Sequence, residues 1–168
     1  MSAIFTQMPT SKKIIMGIDP GLADTGYGLI AKEGQSLKLI DCGSIKTSTK
    51  EPFIKRLEII HGRLIDLIKK NRPEVVAVEQ LFFCKNAKTA LLVGQARGVC
   101  LMTISENNLP IFEYTPLQVK QALTSYGKAD KKQVGQMVKL LLNLKSVPKP
   151  DDASDALAVA ITCANSTK

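Results

Sequence analysis

The sequence predicts an α/β domain, a mixed five-stranded sheet flanked by helices. Three observations predict it. Two strongly apolar runs, Ile14–Ile18 and Glu74–Glu79, read as strands buried on both faces. Short turns join the first run to two further strand-like runs, which implies an antiparallel meander. Helical stripes of apolar residues stand before and after the second buried run, which implies a parallel crossover.

The first strand, Ile14–Ile18, runs into Asp19 and closes on Pro20-Gly21. Thr25–Ala31 is the second strand, and Gly26 and Gly28 leave room for a close approach to its backbone. Glu33-Gly34 turns the chain into the third strand, Leu37–Ile45. Phe53–Asn71 is a helix with Leu57, Ile60, Leu64 and Leu67 at helical spacing, ended by Arg72-Pro73. His61 lies beside that stripe and reads as a packing residue. The fourth strand, Glu74–Glu79, again finishes on a carboxylate.

Ala87–Glu106 is a long helix with a face of small residues, Ala87, Ala90, Gly94 and Gly98, which suits packing on the sheet or a dimer contact. Pro110–Tyr114 is the fifth strand, and Leu117–Leu123 a short helix behind Pro116. The segment Ser125–Lys132 reads as a basic loop, either a phosphate contact or a solvated turn. Gln133–Leu144 is amphipathic, with Val134, Val138 and Leu141 on one face. The last helix starts at Asp151 or Asp152 and buries Ala153, Ala156, Leu157, Ala160, Ile161 and Ala164.

The chain has 168 residues, enough for one sizeable core. Residues 1–12 are expected to form a flexible extension and residues 13–168 the domain. The start lacks the pattern of a signal peptide, and no run is long and apolar enough for a membrane helix. The four cysteines (Cys42, Cys84, Cys100 and Cys163) form no C-x-x-C pair, and there is a single histidine. A zinc site is therefore not expected, and reduced cytoplasmic thiols are. The net charge of +8 suggests a polyanionic partner, most often nucleic acid.

The acids carry the chemistry. Asp19 ends the first strand, Glu79 ends the fourth, and Asp152 and Asp155 open the last helix three residues apart. A carboxylate at the rim of an apolar strand needs a partner: a metal ion, a lysine or arginine, or the turn it caps. Acids at a helix start also cap backbone donors. In α/β sheets, chemistry collects at the C-terminal ends of parallel strands. If the four acids meet there, mutual repulsion demands a cation, and oxygen ligands suit magnesium or manganese. Phe82-Phe83 beside Lys85 reads as a base-stacking link or as one core and one exposed ring.

Four segments (GIDPGLADTGYG, EQLFFCKNAKTALLVGQARGV, PIFEYTPLQVKQALTSYGKADKKQV and DDASDALAVAI) together resemble the RuvC-type Holliday junction resolvases, over about residues 13–165. The resemblance implies an RNase H-like fold for the domain and a homodimer that binds four-way junction DNA. It implies magnesium-dependent nicking of two opposing strands, with manganese as substitute and two ions per site. The products would carry ligatable 5′-phosphate and 3′-hydroxyl ends, and the setting would be recombination and repair in a bacterial cytoplasm. Family catalytic and metal-holding acids map onto Asp19, Glu79, Asp152 and Asp155. Asp152 stands where some members carry histidine. Phe82 maps onto the aromatic that meets the crossover, and Lys120 and Lys131 onto phosphate contacts. Lys131 is also assigned to the catalytic group, and Lys85 and Lys128 to DNA contact. The branch-migration proteins RuvA and RuvB are implied partners. Two rival classes remain: a phosphotransferase of the actin and sugar-kinase type, whose fold is duplicated and too long for this chain, and a junction-binding module that no longer cuts.

Overall fold

A computed structural model describes residues 12–80 and 87–167. Three strands open the chain: β1 (Lys13–Asp19), β2 (Asp24–Glu33) and β3 (Ser36–Lys46). They form the expected antiparallel meander, with Gly17 facing Gly28 and Asp19 facing Gly26 across β1 and β2. The outer pair is irregular at Leu29/Ile30. Helix α1 (Phe53–Asn71) then crosses to β4 (Val75–Glu79), which runs parallel to β1. Helix α2 (Ala87–Glu106) crosses to β5 (Ile111–Tyr114), parallel to β4. The sheet order is β3-β2-β1-β4-β5, so β1 and β4, the two apolar runs, lie inside it.

Period-two alternation splits the inner strands between two cores. Ile15, Val75 and Ala77 pack on one side with Leu157, Ala160 and Ile161 of α5 (Asp151–Ser166). Met16, Ile18, Val76 and Val78 pack on the other with Ile60, Leu64 and Ile68 of α1 and Ala96, Cys100 and Ile104 of α2. Helices α3 (Pro116–Thr124) and α4 (Lys131–Leu141) join α5 on the first side. His61 packs between α1 and α2, where its Nδ1 lies 2.9 Å from Thr103 Oγ1. Since the Thr103 hydroxyl donates to the Val99 carbonyl at 2.7 Å, the ring N–H is the donor between them.

Three expectations change. Lys131 and Lys132 belong to the first turn of α4, not to a loop. Asp130 caps that turn: its side chain accepts from the Gln133 N–H at 2.8 Å, and the Gln133 side chain accepts from the Asp130 N–H at 2.8 Å. The helix also ends earlier than Leu144, because Asn143 turns to φ 51°. In α2 the buried face is Ala96, Cys100, Thr103 and Ile104, so the small-residue face does not pack on the sheet. Cys42, Cys100 and Cys163 are unbridged, while Cys84 lies outside the described residues. Most of the expected extension, residues 1–11, lies outside them too.

Candidate active site

The alternation that buries Ile15 under α5 points Asp19 toward the same helix. Val75, Ala77 and Glu79 follow the same rule on β4. The two strands are parallel and adjacent, so both carboxylates arrive at one end of the sheet on one face. Helix α5 lies directly on that face. A Cβ at Gly17 would fall 2.0 Å from the Ala156 carbonyl oxygen, and one at Gly28 would fall 2.7 Å from the Leu157 side chain. A Cβ at Gly26 would fall 2.0 Å from the Asp152 carbonyl oxygen. What comes close to these glycines is therefore the last helix, and its N-terminal end brings Asp152 and Asp155 over the strand ends.

The electrostatics of the acids follow from this proximity. Burial lifts the Asp19 carboxyl from its ordinary 3.8 to about 8, helped by the charges of Glu79, Asp155 and Asp152. Burial also raises Glu79, against the hydrogen bond from Asp19 and the cations Lys131 and Lys120. Asp19 and Glu79 face each other as hydrogen-bonding partners, and burial favours the protonated form of both carboxyls. Asp155 is raised by burial as well, although Lys131 opposes the shift from 2.7 Å away. The same contact pushes the Lys131 ammonium up.

The donor set is all carboxylate oxygen, the chemistry that suits a hard divalent ion. In the present arrangement Lys131 pairs with Asp155, and burial favours the neutral forms of Asp19 and Glu79. Among the described residues no three potential ligands stand close enough together to hold one ion as placed. Asp155 in particular is turned to Lys131. The residues fit a divalent cation by chemistry and by the cost of ionising Asp19 without one.

Of the lysines expected to touch DNA, Lys120 on α3 and Lys131 on α4 act on the Glu79 carboxylate. Lys128 is exposed on the turn ahead of α4 and is not among the principal charges acting on Asp19, Glu79 or Asp155. Phe82 and Lys85 lie outside the described residues. The sequence reading placed Lys132 only in the basic loop and did not single out Lys149; both neighbour the site. Together with Lys131, Asp151, Ser154 and Asp155 they line a cleft of about 340 Å³. Lys149 pairs with Asp151 at 2.8 Å and lowers that carboxyl. Its one sequence signal is its place between two prolines just before the aspartates.

The model of the family described as crossover junction endodeoxyribonuclease RuvC matches residues 15–163. A protein of that name from Halothermothrix orenii is 56% identical over 153 residues, 91% of this chain and 93% of its own. The solved RuvC structure of Thermus thermophilus superposes with a TM-score of 0.84 at 41% identity, over 90% of this chain and 93% of that one. The same protein in complex with Holliday junction substrate gives a TM-score of 0.83 at 39% identity, with the same coverage of 90% and 93%. The chain belongs to the RuvC family of nucleases, and its fold is the expected RNase H-like one.

Proposed function

We propose that this RuvC-family chain resolves four-way DNA junctions by nicking two opposing strands symmetrically, in recombination and repair. The observation that carries the reading is the meeting of Asp19, Glu79, Asp152 and Asp155 at one end of the sheet, in a chain of net charge +8. These four carboxylates would hold the divalent cations, magnesium with manganese as substitute, two to a site. What such ions supply when bound is an activated water and charge stabilisation at the leaving oxygen.

The chain's own residues do the rest. Asp19 and Glu79 would hold the ions from the strand ends, with the proton that burial favours on Asp19 lost to solvent. Asp155 turns from Lys131, whose ammonium then meets a phosphate oxygen. Lys120 and Lys128, with Phe82 and Lys85, hold the strand. The retention of all four acids favours a cutting enzyme over a binding module.

A junction has approximate two-fold symmetry, so a C2 dimer would present one site to each of two strands. Helix α2 supports that assembly. Leu91, Gly98 and Met102 lie on one stripe of it, with Leu91 65% and Met102 61% exposed and, among the described residues, nothing within 4 Å of a Cβ at Gly98. Among the described residues no helix is long and apolar enough to cross a membrane. The setting we propose is a bacterial cytoplasm, with RuvA and RuvB delivering the junction.

The test is the chemistry of the product. Junctions cut in magnesium should yield nicked duplexes that DNA ligase seals without prior treatment. Products that need a kinase or a phosphatase before ligation would contradict the proposed ends.

A further inference from the structure

We propose that Arg97 of α2 is a positioning residue for Glu79, acting with Glu113 of β5 as a strut behind the site. The inference rests on the nuclease reading, because that reading gives Glu79 its part in cutting.

Glu79 is the last residue of a five-residue strand. Its registered pairing to β1 stops one position earlier, at Ile18 and Val78. On the other side Glu79 pairs with Tyr114, and the following N–H, of Gln80, donates to the Tyr114 carbonyl at 2.8 Å. The strand end that carries a buried carboxylate thus lies at the margin of its register with β1.

Arg97 adds a hold on that end from the α2 side. Its Nε donates to the Glu79 carbonyl at 3.4 Å. Its guanidinium is in turn fixed by an ion pair with the Glu113 carboxylate, on the residue that faces Val78 in the next strand. The Arg97 side chain is only 19% exposed, so this pair is partly shielded. The strut does not act through charge on the Glu79 carboxylate, whose opposing cations are Lys131 and Lys120. It acts on the backbone. Arg97 comes from the α2 side of the sheet, and the Glu79 carboxylate points to the α5 side. Loosening the carbonyl tilts the strand end and swings the carboxylate away from Asp19.

The test compares full-length wild type with Arg97→Met, Glu113→Gln, their double variant and the charge swap R97E/E113R. Junction affinity, single-turnover cleavage at saturating enzyme, the magnesium concentration for half-maximal cleavage and Tm are measured for each. Arg97→Met and Glu113→Gln should each slow cleavage about tenfold or more, as expected for a sub-ångström to 1 Å misplacement. Junction affinity should hold, and the magnesium requirement should rise. The double variant should be no worse than Arg97→Met. The swap restores the ion pair but withdraws the donor from the Glu79 carbonyl, so Tm should recover and cleavage should not. Amide exchange at Gln80 should quicken in Arg97→Met relative to Val76, a readout that needs no cleavage. Wild-type cleavage in Arg97→Met, rescue of cleavage by the swap, or unchanged exchange at Gln80 would each overturn the strut. If Arg97→Met does not fold, Glu113→Gln decides: a wild-type rate and magnesium requirement overturn the proposal. A wild type that cuts no junction contradicts the nuclease reading, and the exchange result still decides on the strut.

Discussion

Gly26→Ala adds one methyl group at one of the two tightest points between the sheet and α5. The new Cβ would stand 2.0 Å from the Asp152 carbonyl oxygen and 2.5 Å from its carbon. A carbon meets a carbonyl oxygen at about 3.3 Å, so the first turn of α5 must retreat by roughly 1.3 Å. Neither obstacle is the flexible end of a side chain: both are backbone. Overpacking of this kind costs about 1–3 kcal/mol, which lowers Tm by roughly 2–12 °C in a domain of this size. The functional cost should be larger. A displacement near 1 Å at a catalytic constellation can cost about 10²-fold in rate, or about 2.7 kcal/mol of barrier. The assay is single-turnover junction cleavage at saturating enzyme, well below the lowered Tm, with junction affinity measured in parallel. Gly62→Ala is the control, since no atom lies within 4 Å of a Cβ there. Cleavage of Gly26→Ala within about threefold of wild type would refute the reasoning, because the Asp152 carboxylate could then not depend on α5 resting against Gly26.

Other expectations follow from the same geometry. Asp19→Asn should abolish cleavage while junction binding persists, and retained cleavage would remove Asp19 from the metal site. The Asp19 shift also has a signature in stability. Its folded-state value of about 8 exceeds the ordinary 3.8, so its contribution is fullest below the lower value and is lost as pH rises through the upper one. In EDTA, wild type should therefore lose Tm relative to Asp19→Asn between about pH 4 and about pH 8, and magnesium should narrow the gap; a gap independent of pH would count against the buried, protonated Asp19. Gly98→Leu should weaken the dimer in analytical ultracentrifugation, and an unchanged dimer would move the interface away from α2. Raising salt should weaken junction binding steeply, and removing one phosphate-contacting lysine, Lys120, should reduce the log–log slope by about 1; an unchanged slope would take Lys120 off the phosphates.

Much of this arrangement was legible because it is written in local patterns. The β1 and β4 runs are apolar at every position since both faces are covered, and the acids that end them share the C-terminal edge by parallel pairing. The start of α4 was harder to see. Its D-x-x-Q capping box was present in Asp130 and Gln133, but the surrounding lysines resembled a solvated turn. Gly26 and Gly28 announced a close approach without saying of what. That α5 makes it depends on packing between residues more than 120 positions apart, which no local period records. Arg97 was invisible for a similar reason: its partners Glu79 and Glu113 lie on neighbouring strands, one on each side of it in the chain. The contacts expected of Phe82 and Lys85 fall outside the described residues.

In the proposed reaction, four carboxylates at the end of a basic RNase H-like domain would hold the ions that cut crossed DNA strands. The direct test is to offer the purified protein a synthetic four-way junction and a linear duplex of the same sequence, in magnesium, and to map the cuts on every strand. Paired nicks at symmetric positions on two opposing strands of the junction, with the duplex intact, are the predicted result. A junction that is bound but left uncut in both magnesium and manganese, or a duplex cut as readily as the junction, would contradict the account.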